Sequence, residues 1–323
     1  MLKKAELHVH LEGTIRPEIA RKLAQKNKVA LPETLFNPDG NSYFSTDFLH
    51  FLSVYDTLAS VIKSPDDYYD ITLDYLTESA KQGVIYCEMM YSPDHAENAS
   101  NIPSINHLEA IQQAVNDAEH RHNIVGRIII TAVRHYGVEA AVKVARAALK
   151  KNVPCATGFG LGGDEYNYPP EWFKEAYEIA HDGGLQCTVH AGEMASYEKM
   201  EDAIKTLPIK RIGHGVMAMH SAHTRALLKD KGLALELCPT SNIFLKLFNN
   251  MAEHPLPLFL DEGLLISINS DDPPFMKTTI GQEYQRVQEA YGYSDAIMNK
   301  ITLMALDCAF VDEVTRKMLK NRV

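Results

Sequence analysis

What this sequence lacks narrows the field before any motif is considered. The 323-residue chain contains no run of eighteen apolar residues, so no segment is suited to span a membrane as a helix. Basic residues are in the minority, 32 Lys and Arg against 42 Asp and Glu, which gives a formal charge of −10. Such a surface repels phosphate backbones and argues against a nucleic-acid partner, while a small uncharged molecule would be indifferent to it. The five cysteines are odd in number, scattered, and never in CxxC spacing. That excludes a disulfide framework and a cysteine-type zinc site, and leaves buried reduced thiols in a cytoplasmic protein as the expectation. The N-terminal MLKKAELHVHLEG lacks the apolar stretch and small-residue cleavage site of a secretory leader. Repeats, low-complexity tracts and linkers are also missing, so residues 1–323 read as one domain.

What is present is an alternation of short apolar segments with stretches of helical period. Strand character falls at Ala5–Leu11, Val84–Tyr91, Arg127–Val133, Val153–Phe159, Gln186–His190, Arg211–His214, Leu233–Cys238 and Leu264–Asn269. IIITAV (128–133) and LLISIN (264–269) are nearly continuous in apolar content, as strands covered on both faces should be. Helical periodicity fills most gaps: His107–His122, Val138–Lys150, Glu171–Asp182 and Ser221–Lys231, the third followed by Gly183-Gly184 and the fourth by Gly232. Eight such units imply parallel strands joined by right-handed crossovers and closed into a (β/α)8 TIM barrel, with a doubly wound open sheet as the alternative. The gap of about seventy residues after the first strand is too long for a simple connection. Phe48, Leu52, Tyr55, Ala59 and Ile62 recur within it at helical spacing, which predicts an extra helix on the barrel rim, within a 33–65 insertion that could serve as a lid. The chain after Gln282 reads as helix (Tyr284–Tyr291, then Ser294–Lys320), an added outer layer at the C-terminus.

Polar residues gather where the strands stop. The first ends in His8-Val9-His10, the fifth in His190-Ala191-Gly192-Glu193, the sixth in Gly213-His214-Gly215, and the eighth in Ser270-Asp271-Asp272-Pro273. Singly these are weak signals, since a His-x-His pair is often structural and Asp-Asp-Pro is often a turn. In a barrel, however, all four ends meet at one face, where such enzymes keep their active sites. Three imidazoles and a carboxylate, from His8, His10, His190 and Asp271, form a plausible shell for one Zn2+ with room for water and substrate. Glu193 and His214 remain as an acid and a base, which hydrolysis at an unsaturated carbon requires. His10-Leu11-Glu12 mimics half of the H-x-E…P-C-x-x-C deaminase signature, but Cys238-Pro239 is in the wrong order and no second cysteine follows.

The pieces ELHVHLEG (6–13), YSPDH (91–95), GLGGDE (160–165), TVHAGE (188–193), RIGHG (211–215), ELCPTSN (236–242) and SINSDDP (267–273) resemble, in order and across nearly the whole chain, the adenosine deaminase family of metal-dependent hydrolases. The resemblance implies zinc ligation by His8, His10, His190 and Asp271. It further implies Glu193 as the acid that protonates purine N1, and His214 as the group that orients or deprotonates the attacking water. Asp272 would face N7, the Gly163 backbone N3, and Glu12 the sugar. The expected reaction is hydrolytic deamination of adenosine to inosine, with adenine or another 6-aminopurine nucleoside as the alternative substrate. Gly213, where adenine-type members usually carry Asp, and the stretch PPFMKTTIGQEY favour the nucleoside, whereas Glu12 is common in adenine-type members. Two other classes are weighed beside it. A phosphoesterase on the same barrel should show a basic cluster at the strand ends, where only Arg134 and Lys277 stand; a silent binding protein should have lost ligands, and none is missing.

Overall fold

The computed structural model describes residues 2–150 and 153–323. Eight parallel strands form one sheet in sequence order: β1 (Lys4–Glu6), β2 (Val84–Tyr91), β3 (Val125–Val133), β4 (Ala156–Gly162), β5 (Gln186–Ala191), β6 (Arg211–His214), β7 (Ala234–Leu237) and β8 (Leu265–Ile268). Each strand hydrogen-bonds to the next in parallel. Past their ends β8 and β1 meet through a parallel bridge between Val9 and Asp271, where the His10 amide donates to the Asp271 carbonyl at 3.0 Å. The seam also carries the Leu7 amide on Asn269 Oδ1 at 2.8 Å, and the Ser270 amide on Glu6 Oε1 at 3.0 Å. The (β/α)8 barrel read from the sequence is therefore the fold.

Helices wrap the outer face of the sheet, as expected for crossovers in a closed barrel. After β1 come α1 (Pro17–Asn27), α2 (Phe48–Ala59) and α3 (Pro65–Lys81); after β2, α4 (Pro93–Ser100) and α5 (Ser104–His122); after β3, α6 (Val138–Ala148). Then follow α7 (Lys174–Asp182), α8 (Tyr197–Thr206), α9 (Ala222–Asp230), α10 (Pro239–Phe244) and α11 (Leu256–Asp261), one or two per crossover. The C-terminal layer is α12 (Ile280–Tyr291), α13 (Asp295–Cys308) and α14 (Glu313–Lys320). Ser294–Lys320 is thus two helices rather than one. The break carries Phe310 against Met90 and Ile129 and places its ring 3.5 Å from the Arg211 guanidinium.

The insertion after β1 is larger than one rim helix. In α2, Val54 and Leu58 are buried in the main core, and the same helix brings Phe51, Leu52, Tyr55 and Asp56 to the wall of a cavity. The following helix, α3, starts at a capping box in which Ser64 and Asp67 each receive the other's backbone amide. Cys87, Cys155, Cys187 and Cys238 are buried free thiols and Cys308 is partly buried. Among the described residues, no helix is long and apolar enough to cross a membrane.

Candidate active site

Three of the four strands that end in a polar cluster, the fifth, sixth and eighth, also end in a sharp backbone reversal. Gly192 (φ 70°), His214 (φ 58°) and Asp271 (φ 63°) all adopt the left-handed conformation. For His and Asp this costs on the order of 1–2 kcal/mol, which identifies positions where a side chain is kept despite strain. The side chains at these strand ends meet in one cavity lined by His10, His190, Glu193, His214, Asp271 and Asp272.

The four expected ligands converge. Ligand atoms of His8, His10 and His190 all lie within 4.8 Å of one another. His8 Nε2 is 3.5 Å, and His10 Nε2 3.4 Å, from Asp271 Oδ1. His8 Nδ1 is 2.7 Å from Glu236 Oε2, and His190 Nδ1 is 3.1 Å from the Leu161 carbonyl. With Nδ1–H spent on those acceptors, both rings turn the Nε2 lone pair inward, the arrangement typical of metal-binding histidines. His8 Nε2 is buried without a partner. Burial opposes charge on His8, yet the Asp271 and Glu236 carboxylates beside it raise its pKa to about 10. Surroundings that draw a proton this strongly would draw a divalent cation, so the donor set fits a metal. Cys238 also lies within 4.8 Å of His8, His214 and Asp271, but burial holds its thiol well above the usual range and leaves it the poorer ligand.

Beside this cluster stand groups without protein partners. Glu193 Oε1 and Asp272 Oδ1 are buried and accept no hydrogen bond. Burial first, and then the neighbouring Asp271 charge, push both carboxyls well above the normal carboxylate range. Burial lowers the His214 pKa to about 3 and keeps the ring neutral. Its Nδ1 is 3.5 Å from Glu193 Oε1 and 3.2 Å from Asn242 Nδ2, and its Nε2 is 3.9 Å from Asp271 Oδ2. The tautomer follows from a buried chain of partners. The Leu256 amide donates to His254 Nδ1 (3.2 Å), so His254 Nε2–H faces Asn242 Oδ1 (3.3 Å) and the Asn242 amide nitrogen faces His214 Nδ1. His214 is therefore assigned its proton on Nε2.

Two sequence readings change at this point. Gly213, read as favouring the nucleoside because adenine-type members usually carry Asp there, packs against His8: a Cβ would sit 2.8 Å from His8 Cε1. Glu12 is buried and does not line the cavity; it receives the Tyr68 hydroxyl at 2.9 Å and faces that of Tyr55 at 3.5 Å. Gly163 (φ 96°) does line the cavity, beside His135. Arg134 is fully buried and donates to the Tyr168 and His190 carbonyls, so it offers nothing to a phosphate, and Lys277 is exposed.

Sequence reasoning passed over the groups that hold the site. Glu236 joins His8 to Arg211, whose Nε donates at 2.5 Å, and Arg211 reaches on to Glu88. Despite burial, Arg211 and His8 keep the Glu236 pKa down at about 2. The signal was available: a charge inside VIYCEMMY, RIGH or ALEL must be paired once both faces of the strand are covered. Ser241, in the stretch after β7, donates to Asp271 Oδ2 at 2.6 Å.

Known proteins share this sequence pattern and this fold. The family model described as adenosine deaminase matches residues 3–323. An adenine deaminase of Agrobacterium fabrum is 39% identical over 322 residues, covering 100% of this chain and 98% of the relative. One from Sinorhizobium medicae is 40% identical over 318 residues, covering 98% and 97%. Among solved structures, adenine deaminase from Arthrobacter aurescens superposes with a TM-score of 0.91 at 26% identity, covering 99% of this chain and 98% of that one. An amidohydrolase from Burkholderia ambifaria with bound zinc gives 0.90 at 25%, covering 99% and 89%. With the family model matching almost end to end, this chain belongs to the adenosine deaminase family.

Proposed function

We propose that this protein is a zinc-dependent hydrolase that converts adenine and water to hypoxanthine and ammonia. The observation that carries the reading is one cavity in which four ligand-type side chains converge beside two buried, unpartnered carboxyls, Glu193 and Asp272. His8, His10, His190 and Asp271 would hold the zinc, which when bound lowers the pKa of water toward neutrality and so supplies the nucleophile. The bound zinc of the Burkholderia ambifaria protein supports that choice of metal.

The remaining residues divide the work on the purine. The Glu193 carboxyl, its pKa raised by burial and by Asp271, donates a proton to ring N1 and makes C6 electrophilic. His214, neutral and carrying its proton on Nε2, orients the water that attacks C6. Of the two water protons, one leaves with the amino group as ammonia and the other restores the Glu193 carboxyl. Asp272, its pKa likewise raised by burial and by Asp271, faces N7, and the Gly163 backbone faces N3. Glu12 acts on the substrate through Tyr55 rather than by touching a sugar.

Adenosine was the first expectation from the sequence; the adenine alternative is now better supported. Relatives at 37–40% identity over essentially full length are adenine deaminases. Of the features that favoured the nucleoside, Gly213 packs against His8, and Glu12, expected to face a sugar, is held by the two tyrosines. Purified protein should release ammonia from adenine and carry about one zinc per chain, and His190→Ala should lose metal and activity together. Full zinc occupancy in that variant would remove His190 from the site, and no ammonia from any 6-aminopurine would end the reading.

A further inference from the structure

Glu193 stands on a short loop after β5, and the interior of that loop is pinned by a residue from the neighbouring strand. β4 ends at Gly162, and the chain turns through Gly163 (φ 96°) and Asp164 to Glu165, which is 5% exposed. Glu165 Oε2 accepts from the Met194 amide at 3.1 Å and from the Ala195 amide at 2.9 Å. Its second oxygen, Oε1, is buried with no partner. The start of the same loop is held separately, by Arg134 at the end of β3, whose guanidinium donates to the His190 and Tyr168 carbonyls. Residues 190–195 are thus clamped at both ends by charged groups of opposite sign, each taken out of water. Burying a carboxylate to bind two backbone amides is costly unless the geometry it fixes matters. A loop of this length with water-exposed amides would need no such group.

We propose that Glu165 is a positioning residue for the reaction: by holding the amides of residues 194 and 195 it aims the Glu193 carboxyl at purine N1. The proposal rests on the reading of Glu193 as the acid. Glu165 reaches neither the ligand cluster nor, among the described residues, the cavity wall, so its effect on chemistry passes through Glu193. After burial and Asp271, Glu165 also raises the Glu193 pKa, which acts in the same direction.

Three variants separate this role from a general contribution to folding. Glu165→Gln keeps a carbonyl oxygen that can accept both amides, Glu165→Ala removes the acceptor, and Glu193→Gln removes the acid itself. Zinc content, Tm, kcat and KM for adenine, and Kd for the product hypoxanthine are measured for each. For Glu165→Ala the expected result is a kcat lower by about 100-fold, the scale of an ~1 Å misplacement, with zinc content unchanged and KM and hypoxanthine Kd within about threefold. Glu165→Gln should recover to within about tenfold of the parent. A Glu165→Ala enzyme within threefold of the parent in kcat overturns the proposal, as does loss of zinc and product affinity in parallel with kcat. So does a Glu165→Gln enzyme no better than Glu165→Ala. If Glu193→Gln itself stays within tenfold of the parent, the acid assignment fails, an outcome the Glu165 variants alone cannot produce.

Discussion

The position that constrains the site most tightly is a glycine. A Cβ on Gly13 would lie 1.7 Å from Asp272 Oδ1, so the ELHVHLEG segment must pass within contact of the carboxyl assigned to N7. Gly13→Ala should fold, because Gly13 is not in the left-handed region, and should keep its zinc, because Asp272 is not a ligand. It should displace Asp272 and lower kcat/KM for adenine by about 100-fold. An alanine variant within threefold of the parent would mean that Asp272 does not touch the substrate. At this scale the sequence was most informative about residues that do chemistry and least about residues that hold them. His8, His10, His190, Glu193, His214, Asp271 and Asp272 stood at strand ends where convergence could be foreseen. Glu236, Asn242, His254 and Glu165 act through partners 12 to 228 positions away, and no local spacing announces such pairs.

At the scale of elements, long runs with clean periodicity were legible and short or strongly capped ones were not. β2 and β6 fall where expected, whereas β4 lies three residues later than VPCATGF suggested. Its apolar start, Val153–Cys155, packs before the ladder begins, and the ladder itself runs through the glycine-rich ATGFGLG. The helices α1, α3, α4 and α8 were not read because proline starts or mixed polar faces blurred their period, although α3 supplies Tyr68 to Glu12 and Tyr75 to Glu6. The start of α3 offers a test by pH. The Asp67 side chain is buried; burial alone would raise its pKa, but Lys26, Asn27 and the amide of Lys63 hold it below the usual value. A carboxylate depressed in the folded state stabilises fully above its unfolded pKa of about 3.9, and that contribution is lost as pH falls through the folded value. Asp67→Asn should therefore cost about 1–3 kcal/mol at pH 7, with the gap from the parent closing below pH 4. A gap independent of pH down to pH 2 would assign the effect to packing.

At the scale of the molecule, barrel closure and active-site assembly are one event. The bridge from Val9 to Asp271 that joins β1 to β8 also brings His8 and His10 against Asp271, residues more than 260 positions apart. The eightfold alternation made the barrel readable from sequence, but it left open which purine enters, because the walls of the cavity come from irregular segments. α2 contributes Tyr55 and Asp56, and Asp56 meets His95 of α4 at 2.9 Å across the mouth. No periodicity encodes that pairing. The measurement that tests the account most directly is the ratio of kcat/KM for adenine to that for adenosine on one zinc-loaded preparation. The expected ratio favours adenine by at least tenfold, the scale of one or two buried polar groups left unmatched at about 1–3 kcal/mol each. A ratio favouring adenosine would contradict the substrate assignment and leave the metal-site chemistry standing.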